Sequence, residues 1–122
     1  MNSHFWAVLE NYKHTHDDSN IRAQRTQFTA WFDQVYKLVT NKMQSEATEN
    51  DEGESIFNND AFEIGADDAH DELSKAIIWK GKTAVENFLQ HPSSAMYIAR
   101  ELALNLSNDD ASAEFYKLIY DD

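Results

Sequence analysis

No glycine interrupts the chain before Gly53, and its sole proline is Pro92. Three glycines and one proline in 122 residues are too few for the closely spaced turns of a β-sandwich or barrel. Long uninterrupted stretches with an apolar residue at every third or fourth position are the mark of amphipathic helices. The expected fold is therefore all-α: a single compact domain, residues 1–122, of five or six helices with an acidic central loop. A chain of this length forms one domain, and 42% hydrophobic with 12% aromatic residues supply a core without cross-links.

The first helix opens at Asn2 or Ser3, either of which can cap it, and carries Phe5, Val8, Leu9 and Tyr12 on one stripe, with Trp6 off it. Residues 13–20 are polar and read as a loop. A second, longer helix is expected from about Asn20 to Glu46, with Phe28, Trp31, Phe32, Val35, Leu38, Val39 and Met43 facing the core. A flexible acidic loop is expected over 44–56, and 56–65 reads as either a short helix or an ordered loop tucking Ile56, Phe57, Phe62 and Ile64 inward.

A third helix starts near Asp67 or Asp68, whose carboxylates suit a helix N-terminus. Leu73, Ala76, Ile77 and Lys80 share one face there, widened by Ile78 and Trp79. Gly81 marks a break, a C-cap or a kink. Val85, Phe88 and Leu89 follow on a segment that stops at His91-Pro92, because the residue before proline avoids the helical region. Ser93 or Ser94 then caps a helix bearing Ala95, Ile98, Ala99, Leu102 and Leu106. The spacing Ser107-Asn-Asp-Asp110 fits a capping box for a last helix with Ala111, Phe115, Leu118 and Ile119.

Composition narrows the function classes. Without cysteine there are no disulfides and no thiolate metal sites. The opening MNSHFWAVLENYKH has no basic leader and only a short, interrupted apolar run. No stretch approaches the roughly 20 apolar residues that span a bilayer, so a cytoplasmic location is expected. Twenty-two acids against 10 bases leave a formal charge of −12. Such a surface repels nucleic acid and anionic membrane and attracts cationic proteins. The alternative reading of the same charge is solubility alone.

The acids are concentrated. Between Lys42 and Lys75 there is no Lys or Arg, and that interval holds Glu46, Glu49, Asp51, Glu52, Glu54, Asp60, Glu63, Asp67, Asp68, Asp71 and Glu72, half of all 22 acids. A strong local negative potential accelerates encounter with a cationic partner and orients it. Interleaved apolar residues such as Phe57 add the anchors that specific interfaces use. The candidate partner-binding residues are therefore Asp51, Glu52, Glu54, Phe57, Asp60, Glu63, Asp67, Asp68, Asp71 and Glu72, with Trp79 as a second aromatic anchor. The competing reading makes 45–55 a solvated linker and 56–64 core.

Catalytic signatures are lacking: no P-loop, dinucleotide fingerprint, nucleophile elbow or zincin helix occurs. An EF-hand aligned on Gly53 would need a carboxylate where Asn59 stands. His14-x-His16 with Asp17 and Asp18, and Asp67-Asp68-x-His70-Asp71, are the only metal or acid–base constellations. A solvated loop explains the first, and helix capping explains the second's aspartates. No enzyme, cofactor or metal is expected. Among the tryptophans, Trp31 reads as core, whereas Trp6 and Trp79 lie nearer the edges of their apolar faces.

The order Phe5-Trp6, Phe28-x-x-x-Phe32-Asp33, Asp67-Asp68-x-x-Asp71, Ile77-Ile78-x-x-Gly81 and Val85-x-x-x-Leu89-x-x-Pro92 resembles a small bacterial helical domain family. Its pattern is an opening Phe-Trp, a central Asp-Asp-Gly-Phe-Asp, Trp-Leu-Ile, Gln-Gly and a later Asp-Pro. Here Ala69 and His70 stand for the Gly-Phe, and Lys80 for the Gln. Members resemble immunity proteins encoded beside bacterial toxins. The resemblance implies a cognate toxin domain as the partner, and the acidic charge implies that this partner is cationic, such as a nuclease, with no direct nucleic-acid or membrane contact. A nucleic-acid mimic that blocks a DNA-binding or defence protein is the alternative, and a metal enzyme using His14, His16 or His70 the third.

Overall fold

The computed structural model describes residues 3–49, 69–95, 97–98 and 111–120. Its helices are α1 (Ser3–Thr15), α2 (Ser19–Ala23), α3 (Arg25–Glu49), α4 (Ala69–Lys80), α5 (Lys82–Gln90) and α6 (Ala111–Tyr120), with a 3-10 turn at Pro92–Ser94 between the last two. No strand occurs among the described residues, and the helices share one hydrophobic core. The all-α reading is what forms.

The inner position belongs to α4, which packs against α3, α5 and α6. From Leu73 to Trp79 every residue except Lys75 is buried. A helix apolar over most of its circumference needs neighbours on several sides. Leu73, Ile77 and Ile78 are fully buried, and each such Leu or Ile contributes about 1.5–3 kcal/mol relative to exposure. Lys80, expected on the same face, is exposed instead, at the end of the helix. Ser74 is fully buried, and its hydroxyl donates to Met43 Sδ at 3.5 Å, a weak acceptor.

Local chemistry moves several boundaries. α1 runs on to Thr15, so the expected loop at 13–20 shrinks to residues 16–18. His16 ends it with φ 58°, and its N–H bonds Tyr12 O at 2.7 Å, the single closing bond of a left-handed C-terminal cap. The expected helix from Asn20 divides at Gln24 into α2 and α3. α3 then continues to Glu49, so residues 44–49 of the expected 44–56 loop are helical. That stretch has no glycine or proline, and Gln44, Glu46 and Ala47 favour helix. Residues 50–56, and the apolar segment up to Ile64, lie outside the described residues.

The α3 stripe is narrower than expected. Phe28, Phe32, Val35, Val39 and Met43 are buried, but Leu38 is 47% exposed and Trp31 only partly buried. At about 100° per residue, Trp31 and Leu38 fall on the flank of the stripe. Trp6 and Trp79 reverse the other way: both are buried, at 5% and 9% exposure. Tyr12 of α1 and Phe115 of α6 cover the flank where the Trp79 ring sits.

Gly81 makes a true break. Its φ of 120° and ψ of 178° separate α4 from α5, a backbone region essentially reserved for glycine. α5 ends at Gln90 before His91-Pro92, as expected. Ala95 is buried, and Ile98 packs on the core from the helical segment that follows. Ala99, Leu102, Leu106 and the Ser107–Asp110 capping box lie outside the described residues.

Candidate functional site

Of the expected partner-binding residues, Asp51, Glu52, Glu54, Phe57, Asp60, Glu63, Asp67 and Asp68 lie outside the described residues, and Asp71, Glu72 and Trp79 lie within them. Asp71 and Glu72 occupy the first turn of α4, where a negative charge meets the positive end of the helix dipole. Both are half-buried. Trp79 is not a surface anchor. Its ring meets Phe115 edge-on at 5.5 Å and Tyr12 at 6.2 Å.

A polar seam closes over Trp79. Lys13, on α1, donates from Nζ to the Trp79 carbonyl and lies 5.5 Å from the centre of its ring. The break at Gly81 deprives the last α4 carbonyls of helical donors, and a lysine near a helix C-terminus satisfies one of them. Glu10 holds Lys13 from the other side at 3.4 Å. Nearby, the Tyr12 hydroxyl donates to Glu114 Oε2 at 2.7 Å. Burial foremost, then that hydrogen bond and the Glu114 charge, push the Tyr12 phenol up to about 12. The Nε1 groups of Trp6 and Trp79 are buried without an acceptor among the described residues.

Among the described residues, an open cleft lies between α3, α4 and α6. This cleft, of about 140 Å³, has the buried Phe32, Phe115 and Ile119 on its inner side. Phe32 and Phe115 are 4.7 Å apart, and Tyr36 stacks on Phe32 at 5.6 Å. The Tyr36 hydroxyl donates to Asp71 Oδ1 at 2.5 Å, while Lys75 donates to Asp71 Oδ2 at 3.1 Å. Burial, followed by the hydrogen bond to Asp71, raises the Tyr36 phenol well above its ordinary range. The outer rim is Asp33, Tyr116 and Tyr120, all exposed. Tyr116 and Tyr120 are 64% and 66% exposed, with their rings 5.3 Å apart. Asp33 has no ion-pair partner among the described residues.

Of the expected partner-binding residues, Asp71 alone lines this cleft, while Phe32, Phe115 and Ile119 were expected as core. A signal for the rest was present. Tyr116 and Tyr120 are spaced i, i+4 on the side of α6 away from Phe115 and Leu118, so their rings had to share an outer face.

His14 and His16 are exposed. Asp17 instead serves the turn into α2: its Oδ1 accepts the Ser19 N–H at 3.0 Å, and the bonds from Ser19 lower its pKa. No group of three potential metal ligands occurs among the described residues. The His70 side chain lies outside them. No helix among the described residues is long and apolar enough to cross a membrane. No protein-family model, curated protein or solved structure matches this chain.

Proposed function

We propose that this chain is an acidic binding protein of the immunity type, which neutralises a cationic toxin domain, a nuclease being the expected kind, by covering its active or substrate-binding surface. The observation that carries the reading is the base-free interval 43–74 with half of the chain's 22 acids. A nuclease is cationic where it holds phosphates, so an acidic surface competes for the same ground and associates fast. Helices α3 and α4 border that interval, and both are anchored by buried apolar residues.

The test is protection. The polypeptide encoded beside this chain is expressed in a heterologous host with and without it. Growth arrest relieved by co-expression, together with a co-purifying complex, supports the reading. A harmless neighbour, or arrest without relief, contradicts it. Reversing Asp67 and Asp68 to lysine then tests the electrostatic mechanism. Asp71 is kept out of that variant because it bonds Tyr36 and Lys75 within the fold.

A further inference from the structure

The cleft between α3, α4 and α6 has a chemistry of its own, apart from the acidic interval. Four large apolar or aromatic side chains are exposed among the described residues, and two of them, Tyr116 and Tyr120, stand at its rim. Tyrosines presented in pairs at a concave site are typical interface anchors. Within the same cleft, Asp71 is occupied by Tyr36 and Lys75, but Asp33 is exposed and has no ion-pair partner among the described residues. The inner side of the cleft is apolar, formed by the buried Phe32, Phe115 and Ile119.

We infer that this cleft receives one arginine side chain of the cationic partner, its guanidinium lying against the Tyr116 and Tyr120 rings and pairing with Asp33. Three requirements select arginine. The guest must be cationic, because the free charge at the rim is a carboxylate and the chain carries −12 overall. It must be planar to lie on aromatic faces, which favours guanidinium over ammonium. It must also be small, since about 140 Å³ is close to the ~150 Å³ that admits a benzene-sized group. Lys75 does not block entry, because its ammonium is held by Asp71 at 3.1 Å.

This inference rests on the proposed function for the identity of the partner, but its test does not. The probe is a blocked oligo-arginine peptide added to the full chain, followed residue by residue through backbone amide NMR shifts. The shape-matched oligo-citrulline peptide, which lacks the charge, is the control. The expected result is a saturable shift at Phe32–Tyr36 and Tyr116–Tyr120 with arginine and none with citrulline. Asp33→Asn weakens binding by on the order of fivefold, the size expected of an exposed charge pair. Tyr116→Leu with Tyr120→Leu weakens it by about tenfold, and the corresponding phenylalanine pair restores it, because the ring face and not the hydroxyl holds the cation. All these positions are exposed, so the fold tolerates the changes, and unchanged circular dichroism verifies that.

Shifts confined to 50–68 and indifferent to the three substitutions overturn the cleft while leaving the acidic-partner reading standing. No binding at all also overturns the cleft. Failure of the protection experiment with intact binding here strikes only the proposed function.

Discussion

Tyr36 on α3 and Asp71 in the first turn of α4 are joined by a 2.5 Å hydrogen bond, with Lys75 on the other oxygen of the same carboxylate. One acid of the base-free interval therefore serves the fold. Tyr36→Phe should cost about 1 kcal/mol and Asp71→Asn about 1–2 kcal/mol, the upper figure limited by the partial exposure of the carboxylate. The double variant should fall short of the sum by at least ~0.5 kcal/mol, because the two residues share one interaction. Urea denaturation midpoints of the four proteins check this. Additive losses would show that the bond contributes nothing.

Trp79 distinguishes a core role from an interface role. Trp79→Ala should destabilise the fold by about 3–5 kcal/mol through the cavity left beside Phe115 and Tyr12. Thermal unfolding measures it. A variant of unchanged stability that had lost partner binding would restore Trp79 to the surface.

Gly81→Ala should lower stability by about 1–3 kcal/mol, because φ 120° with ψ 178° is a region that L side chains avoid. Space is not the obstacle, since an added Cβ would meet Glu10 Oε1 at an ordinary 3.4 Å. The loss should appear in the denaturation midpoint at constant slope.

Alkaline pH should unfold the protein through its buried phenols. Burial, the Glu114 bond and the Glu114 charge favour neutral Tyr12 in the folded state. Its contribution is complete below the ordinary pKa of 10.0 and is lost as pH rises through about 12. Tyr36 shifts in the same direction, for burial and its bond to Asp71. Phenolate absorbance followed with helical circular dichroism should show part of the tyrosine signal appearing only as helicity falls. Complete ionisation of all five tyrosines with the fold intact would contradict it.

The helices were legible in the sequence because their apolar stripes have one period. Phe5, Val8, Leu9 and Tyr12 are all buried as spaced, as are Phe115, Leu118 and Ile119. What periodicity alone did not resolve was the width of each stripe. Leu38 sits at the flank of α3 and is exposed, whereas Trp6 and Trp79 also sit at flanks and are covered. The difference depends on which helices pack alongside, information that no local window contains. The same reason hid the cleft. Asp33, Tyr36, Asp71 and Tyr120 come from three helices far apart in the chain. Each alone reads as an ordinary surface residue, and only packing brings them together.

The central claim is that the acidic interval captures a cationic partner, and the association rate constant tests it most directly. The wild-type chain and a variant carrying Asp51→Asn, Glu52→Gln, Glu54→Gln, Asp67→Asn and Asp68→Asn are mixed with the protein encoded beside this chain in stopped-flow measurements at low salt. The account predicts an association rate at least about tenfold slower for the variant, with a shallower salt dependence. Equal rates with equal salt dependence would contradict it.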